Sequence, residues 1–224
     1  MKVVIFGGSG MVGGGVLLEC LDDARIERVL LISRHPTEVR HSKIREIVHE
    51  DFMEFGGLRP AFADLDACFY CLGVTAVGLS ESQYHHLTYD FTLAAATALA
   101  SASPGRLTFC YVSGEGTDST ERGRTMWARV KGKTENALLQ LPFNAAFMFR
   151  PGYIQPLRGI RSKTRWYQAL YDVLGPFYPI LRRLFPKYVT TTVNIGRAMI
   201  HVAATGSGKQ ILYSADINRL SAGD

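Results

Sequence analysis

The sequence predicts an α/β protein with a doubly wound, mainly parallel sheet, helices on both faces and a small C-terminal segment that covers one end of the strands. Strand-like and helix-like runs alternate along the first 150 residues, as repeated βαβ units require. The strand-like runs are apolar almost throughout, which is typical of parallel strands buried on both faces. A glycine-rich turn joins the first strand to the first helix.

This glycine turn is the most specific feature of the chain. The short apolar strand at residues 3–6 leads directly into Gly7, Gly10 and Gly13, and a helical pattern follows through Leu21. Gly7 permits a tight turn, Gly10 lets a phosphate approach the backbone, and Gly13 lets the helix pack closely on the strand. We therefore expect a Rossmann fold that holds a dinucleotide pyrophosphate on this turn: Gly7, Ser9, Gly10, Met11, Val12 and Gly13.

The remaining elements of the core follow in regular order. Apolar runs predict strands at residues 29–33, 44–48, 67–72, 107–112 and 145–149, with a final strand at 210–214. Helical spacing predicts an alanine-rich helix at 82–102 and further helices at 125–141 and 193–205. The aromatic segment 166–185 contains Gly175, Pro176 and Pro179, so it predicts two short helices.

These elements divide a single domain into three parts. Residues 1–150 form the nucleotide-binding core, 151–190 a substrate-covering lid, and 191–224 a helix and strand that complete the domain. From Arg150 to Lys187 the chain carries eight Lys or Arg and one acid, Asp172. Such a basic segment indicates an anionic neighbour, whether substrate, cofactor phosphate or a surface, or else a solvated face.

Composition and cysteine placement bound the class of protein. The chain has 224 residues, 47% of them hydrophobic, and a net charge of +5, which suits a globular domain. It has no signal-peptide pattern and no apolar stretch long enough to span a bilayer. Cys68 and Cys71 are three apart on a predicted strand, so they face opposite ways and form neither a redox pair nor a metal clip. We expect buried thiols and a cytoplasmic protein.

The end of the second strand indicates which nucleotide is bound. An NAD site expects Asp or Glu there, about 20 residues past the glycines, but the strand ends in Ser33 and Arg34. The Arg34 guanidinium suits a 2′-phosphate, and the Ser33 hydroxyl adds a hydrogen bond. The sequence therefore favours NADP(H) over NAD(H). Asp51 and Phe52 follow the third strand and are placed to flank the adenine, although Asp51 equally suits a helix cap.

From residue 2 to about 204 the chain resembles the short-chain dehydrogenase/reductase superfamily, most closely its atypical branch of Tat-interactive-protein-like and NmrA-like NAD(P)-binding proteins. Besides the glycine turn, the matching motifs are Cys71-Leu72-Gly73, Tyr111-Val112-Ser113, Val130-Lys131-Gly132 and Phe149-Arg150-Pro151-Gly152. The resemblance implies a Rossmann fold, a cofactor over the strand ends in contact with Leu72, Gly73, Lys131, Pro151 and Gly152, and reductase, epimerase or purely nucleotide-binding activity.

The resemblance also exposes a missing catalytic residue. Active members use a serine, which maps to Ser113, and a lysine, which maps to Lys131. Their acid/base tyrosine stands four residues before the lysine, where this chain has Trp127. Indole only donates a hydrogen bond and cannot transfer the proton. Tyr153, after the Arg-Pro-Gly turn, is our candidate for the third catalytic position, and the other groups considered are Tyr84, His85, Tyr89 and Glu115.

Two functions remain in competition. One is an NADPH-dependent reductase of a small molecule, either anionic or aromatic, such as a carbonyl, quinone or flavin-like acceptor that needs little help with the proton. The other is a non-catalytic NADP(H)-binding redox sensor or partner-binding protein. His85 and His86 are a poor metal pair, and the nucleophile elbow of hydrolases is absent.

Contacts with larger partners are less favoured. No nucleic-acid-binding signature occurs in the sequence. Basic and aromatic residues between 158 and 183 suit a membrane surface, but we prefer a lid with a cationic rim. They are Arg158, Arg161, Lys163, Arg165, Trp166, Tyr167, Phe177, Tyr178, Arg182 and Arg183. The sequence leaves open a monomer or a homodimer.

Overall fold

The computed structural model describes residues 1–160, 178 and 183–223. The prediction of two short helices at 166–185 therefore lies almost entirely outside the described residues. The same holds for Arg161, Lys163, Arg165, Trp166, Tyr167, Phe177 and Arg182 of the basic segment.

A parallel sheet forms the centre of the described structure. In chain order the strands are β1 (Lys2–Phe6), β2 (Arg28–Ser33), β3 (Ile44–Val48), β4 (Ala67–Tyr70), β5 (Thr108–Val112), β6 (Ala145–Arg150), β7 (Tyr153–Gln155), β8 (Val189–Thr191) and β9 (Ile211–Tyr213). Seven of these make the main sheet in the order β3-β2-β1-β4-β5-β6-β9, and β7 pairs with β8 separately. All their pairings are parallel. The predicted doubly wound Rossmann fold is confirmed, and the strand order reverses between β1 and β4, where such folds bind ligands.

Helices cover both faces of this sheet. They are α1 (Met11–Asp22), α2 (Arg59–Phe62), α3 (Glu81–His85), α4 (Phe91–Ala102), α5 (Met126–Leu139), α6 (Thr192–Thr205) and α7 (Ser214–Ser221). The helix predicted at 82–102 is helical throughout but contains a π-helical turn, His86–Asp90, between α3 and α4. Ser80 explains where it begins, because Ser80 and Gln83 form a reciprocal capping box. Helices α2 and α7 and the small β7–β8 sheet were not predicted from the sequence.

The core consists of two apolar layers, one on each face of the sheet. Val3 and Ile5 of β1 belong to the layer shared with α1 and α6, whereas Val4 and Phe6 belong to the layer beneath α4. Cys68 lies in the second layer and Cys71 packs on the first, which confirms their predicted opposite orientation. Burial raises the pKa of the Cys71 thiol to about 12 and that of Cys68 well above its usual value, so both remain protonated.

Glycines allow α1 and α6 to cross closely. A Cβ on Gly15 of α1 would lie 2.5 Å from Cβ of Thr192, and one on Gly196 of α6 would lie 2.8 Å from Cγ of Glu19. Arg197 of α6 donates to Glu19 across the same contact. The helix that begins at the glycine turn is therefore braced by the C-terminal part of the chain. None of the helices within the described residues is long and apolar enough to cross a membrane.

This crossing predicts a stability change at Gly15. The Gly15→Ala variant gains up to about 1 kcal/mol of helix propensity, but its methyl group overlaps Thr192, and overpacking costs roughly 1–3 kcal/mol. We expect a net loss in the free energy of unfolding, measured by urea denaturation. Gly57→Ala is the matched control, because no atom lies within 4 Å of a Cβ there. Equal stability of the two variants would contradict the close crossing.

Candidate functional site

The glycine turn between β1 and α1 has no room for side chains at two of its three glycines. Gly7 has a φ of +79°, and a Cβ there would lie 2.7 Å from the backbone nitrogen of Leu72. A Cβ on Gly13 would lie 2.2 Å from the carbonyl oxygen of Gly7. At Gly10 the nearest atom is that same oxygen, at 3.3 Å, so the outer side of the turn is open. The turn therefore packs tightly inward and leaves its backbone accessible outward.

The first turn of α1 offers unused amide donors to the space beyond this opening. Gly10 is the N-cap, no side chain caps the helix, and no acidic residue stands in the first turn. The first intrahelical bond runs from Gly14 N to Gly10 O at 2.8 Å, so the amides of Met11, Val12 and Gly13 have no intrahelical acceptor. A helix N-terminus with free amides and no competing carboxylate fits a pyrophosphate.

Two cavities meet at this turn and together run along the carboxyl ends of the strands. One, of about 610 Å³, is lined by Gly7, Ser9, Ser33, Arg34 and Phe52 among others. The other, of about 700 Å³, is lined by residues that include Met11, Val12, Gly73, Ser113, Trp127, Lys131, Pro151 and Gly152. Gly10 and Leu72 line both. The structure thus brings nearly all of the predicted cofactor residues to one continuous cleft.

Two of the predicted cofactor residues, Gly13 and Asp51, line neither cavity. Asp51 is exposed, and its Oδ1 accepts a hydrogen bond from the backbone nitrogen of Met53 at 2.9 Å. This local contact does not cap a helix either, because the next helical turn begins at Gly56 with Phe55 as its N-cap. Phe52 does line the smaller cavity and packs edge-on against Phe6 and Phe55.

The structure adds a carboxylate that the sequence analysis missed. Ser33 Oγ donates to Glu46 Oε1 at 2.9 Å, and the backbone nitrogen of Thr37 donates to the same oxygen at 2.9 Å. Glu46 lies on β3, where it pairs with Leu31 in the register, and is half-buried. Arg34 is exposed at the cavity edge. A parallel register between the second and third strands is the signal that would have placed Glu46 beside Ser33.

Lys131 enters the larger cavity from α5 and is anchored at the end of β5. Its Nζ donates to the carbonyl oxygens of Ser113 at 2.6 Å and Val112 at 3.4 Å. Burial lowers the pKa of Lys131 to about 8, and the nearby Glu135 carboxylate only partly opposes this shift. The ammonium form therefore predominates at neutral pH and is lost in mildly alkaline solution.

Trp127 lies one helical turn before Lys131 and lines the same cavity. Its indole packs over Gly116, which has a φ of +82°, and a Cβ on Gly116 would lie 3.4 Å from Trp127 Cη2. The loop that follows β5 therefore accommodates the large aromatic ring directly. An indole in this place supplies an apolar wall and one N–H donor, but no titrating group.

The three predicted catalytic residues are not brought together. Ser113 and Lys131 both line the cavity, and the buried Ser113 Oγ donates to the carbonyl oxygen of Phe149 at 3.1 Å. Ile154 lines the cavity but Tyr153 does not, because neighbouring side chains on β7 point to opposite sides. Tyr153 Oη donates instead to Gln155 Oε1 at 2.9 Å. The structure therefore gives Tyr153 no geometric support as the proton donor.

Other titratable groups do reach the cavity. Tyr84 of α3, almost fully buried, and the partly exposed Glu115 both contribute to its lining. His85 instead contacts Asp90 and the Nζ of Lys133, outside the lining. Within the described residues no group of three His, Cys, Asp or Glu side chains is arranged to hold a metal ion.

A buried ion pair holds the larger cavity in shape. Arg150, at the end of β6, donates from Nε to both carboxylate oxygens of Glu135 on α5, at 3.1 Å each. The side chains are 6% and 1% exposed, so solvent hardly screens the pair. Arg150 also donates to Tyr213 Oη at 3.2 Å and to Ser119 Oγ. It thereby joins α5, β6, β9 and the loop after β5.

Known proteins resemble the chain along nearly its whole length. It is 27% identical to protein HTATIP2 of Rattus norvegicus, over 94% of this chain and 85% of that protein. It is 27% identical to protein fmp52-2, mitochondrial, of Aspergillus oryzae, over 96% of this chain and 95% of that protein. No family model matches the sequence.

Solved structures show the same fold. The Bordetella bronchiseptica enzyme WbmG in complex with NAD superposes with a TM-score of 0.67 at 13% identity, over 95% of this chain and 72% of that one. Together with the curated relatives, this likeness confirms the resemblance to the atypical short-chain dehydrogenase/reductase superfamily.

One expectation is contradicted: we expected a cytoplasmic protein, but several curated relatives are named mitochondrial. A sequence without a signal-peptide pattern was insufficient ground for that expectation.

The buried ion pair generates a stability prediction. Arg150→Met leaves the Glu135 carboxylate buried without its cation, which costs roughly 3–5 kcal/mol in the free energy of unfolding. Adding Glu135→Leu removes the stranded charge and is expected to recover a substantial part of that loss. Urea denaturation measures both. Glu81→Gln, which breaks the exposed contact with Arg129, is the control and should change stability by less than about 1 kcal/mol.

Proposed function

We propose that this atypical short-chain dehydrogenase/reductase binds NADPH along its cleft and reduces a small or aromatic acceptor, such as a carbonyl, quinone or flavin-like ring. The observation that carries the proposal is the continuity of the cleft, from Arg34 through Gly10 and Leu72 to Lys131. One end carries a guanidinium, the middle a helix N-terminus with free amides, and the far end an ammonium. Those three groups match the order of 2′-phosphate, pyrophosphate and nicotinamide ribose in an extended dinucleotide.

The chain's own groups account for cofactor binding. The amides of Met11 and Val12 donate to the pyrophosphate, and Arg34 pairs with the 2′-phosphate from the exposed rim. Lys131 donates to the ribose hydroxyls next to the nicotinamide while the Ser113 carbonyl oxygen holds its ammonium in place. The bound cofactor supplies a hydride to the acceptor.

The acceptor side of the cavity explains why we favour an easily reduced ring. Trp127 provides a flat apolar wall against which an aromatic acceptor can stack. Ser113 orients the acceptor, for which its hydroxyl must turn from the Phe149 carbonyl oxygen. The position one helical turn before Lys131, where active members have their tyrosine, is Trp127, which cannot supply a proton. An acceptor that takes the proton from solvent or from a weak donor suits this site best.

The second candidate is a non-catalytic NADP(H)-binding sensor. Trp127 at the tyrosine position favours it, because the indole preserves the cavity wall and removes the usual proton-transfer group. Relatives with this fold use it for very different purposes, so the fold does not separate the two candidates.

Binding and turnover assays separate them. We expect titration to show saturable NADPH binding, and NADPH oxidation to be fastest with quinones or flavins and slowest with aldehydes. Tight binding without oxidation by any acceptor of this panel would support the sensor. A protein that binds neither dinucleotide would contradict both candidates.

The lowered pKa of Lys131 predicts how cofactor binding depends on pH. Below a pKa of about 8 the side chain is an ammonium that donates to the ribose, and above it the charge is lost. NADPH affinity should therefore fall as the pH rises through about 8, while the 2′-phosphate charge stays constant because its pKa lies near 6. Titrations from about pH 7 to 9.5 measure this. Lys131→Arg, which keeps its charge, is the control, and an equal fall in that variant would contradict the assignment.

A further inference from the structure

We propose that Glu46 is a positioning residue for cofactor selection, which holds Ser33 as a hydrogen-bond acceptor and thereby opposes the preference of Arg34 for a 2′-phosphate. The inference rests on the proposed dinucleotide site and adds to it a second determinant, on a different strand. If Glu46 acts in this way, NADH competes with NADPH for the site although the Arg34 guanidinium lies at its rim.

The contacts of Glu46 place it directly behind the part of the cleft proposed for the adenosine ribose. Ser33 lines the smaller cavity and is buried, and its hydroxyl donates to Glu46 Oε1 at 2.9 Å. The backbone nitrogen of Thr37 reaches the same oxygen at 2.9 Å. Thr37 belongs to the loop 34–39, which lines the cavity throughout. Glu46 itself does not line the cavity, so it acts on a ligand through Ser33 and this loop.

Hydrogen-bond chemistry then fixes the direction of the Ser33 hydroxyl. A carboxylate only accepts, so Ser33 must give its single proton to Glu46. Its oxygen can still accept through its lone pairs, which suits a donor such as a ribose 2′-hydroxyl. A 2′-phosphate dianion only accepts and finds no donor at Ser33. The Ser33–Glu46 pair therefore favours NADH at the position where Arg34 favours NADPH.

The charge of Glu46 acts in the same sense. The carboxylate lies one hydrogen bond behind the subsite and is partly shielded from solvent, so it repels a 2′-phosphate more strongly than an exposed acid would. Arg34 is exposed, and solvent screens its attraction. Cofactor selectivity is in this view a balance between two residues on neighbouring strands.

The Glu46→Gln variant tests the charge of Glu46. The amide oxygen in the place of Oε1 still accepts from both Ser33 Oγ and Thr37 N, so the hydroxyl and the loop keep their anchor while the negative charge behind the subsite is lost. We expect the ratio of the NADPH to the NADH dissociation constant to fall about tenfold relative to the wild type, mainly through tighter NADPH binding. Fluorescence or calorimetric titration measures both constants without requiring turnover.

Three further variants separate this mechanism from simpler ones. Glu27→Gln removes the same charge at the other end of β2 and should leave the ratio unchanged. Glu38→Gln removes a carboxylate that lines the same cavity but has no described contact with Ser33, and its effect should be smaller than that of Glu46→Gln. Ser33→Ala should weaken NADH binding more than NADPH binding, because a ribose 2′-hydroxyl loses its acceptor whereas a 2′-phosphate loses no donor.

The outcomes are distinct. An equal loss of affinity for both dinucleotides in Glu46→Gln would show that Glu46 only supports the loop and would overturn the proposal. An unchanged ratio would also overturn it while leaving the proposed function intact. A wild-type protein that binds neither dinucleotide would overturn the proposed function and this inference together.

Discussion

The buried contact between Arg150 and Glu135 is the interaction on which the larger cavity, lined by Ser113 and Lys131, depends. Glu135 lies one helical turn beyond Lys131, and Arg150 immediately precedes Pro151 and Gly152. The bidentate contact therefore fixes the rotation of α5 and the end of β6 relative to each other. Removing two charges from water costs free energy, so the pair contributes little net stability. It instead fixes the geometry, because its hydrogen bonds are satisfied in only one arrangement of helix and strand.

The other half of the cleft has a separate support. The glycine turn depends on close backbone contacts among Gly7, Gly13 and Leu72, and no charged side chain contributes to them. The glycine turn and the cavity lined by Ser113 and Lys131 are thus held by different physical interactions. This separation allows the tyrosine position to become Trp127 without disturbing the glycine turn. A fold organised in this way can retain nucleotide binding while its chemistry changes.

Local patterns predicted most of the fold and only part of the site. The glycine turn and the alternation of strands and helices depend on short-range sequence, so the sheet and the residues of the turn followed from them. The cleft residues Leu72, Gly73, Lys131, Pro151 and Gly152 came instead from the family resemblance. Glu46 could not be found this way, because its contact with Ser33 depends on the register between two strands. Tyr153 illustrates the opposite limit: the turn before it is recognisable, but the side to which it points depends on the pairing of β7 with β8. Asp51 accepts a hydrogen bond from a residue only two positions away and neither lines one of the two cavities nor caps a helix.

The close crossing of α1 and α6 has a consequence for how the chain folds. Gly15 is synthesised long before its packing partner Thr192, because 176 residues stand between them. The helix that follows the glycine turn therefore acquires this bracing only after that whole stretch of chain has been made. Contacts between such distant segments slow folding and leave apolar surface exposed in the meantime. During synthesis the glycine turn and α1 therefore exist for some time without α6, the helix that packs against α1 in the folded protein.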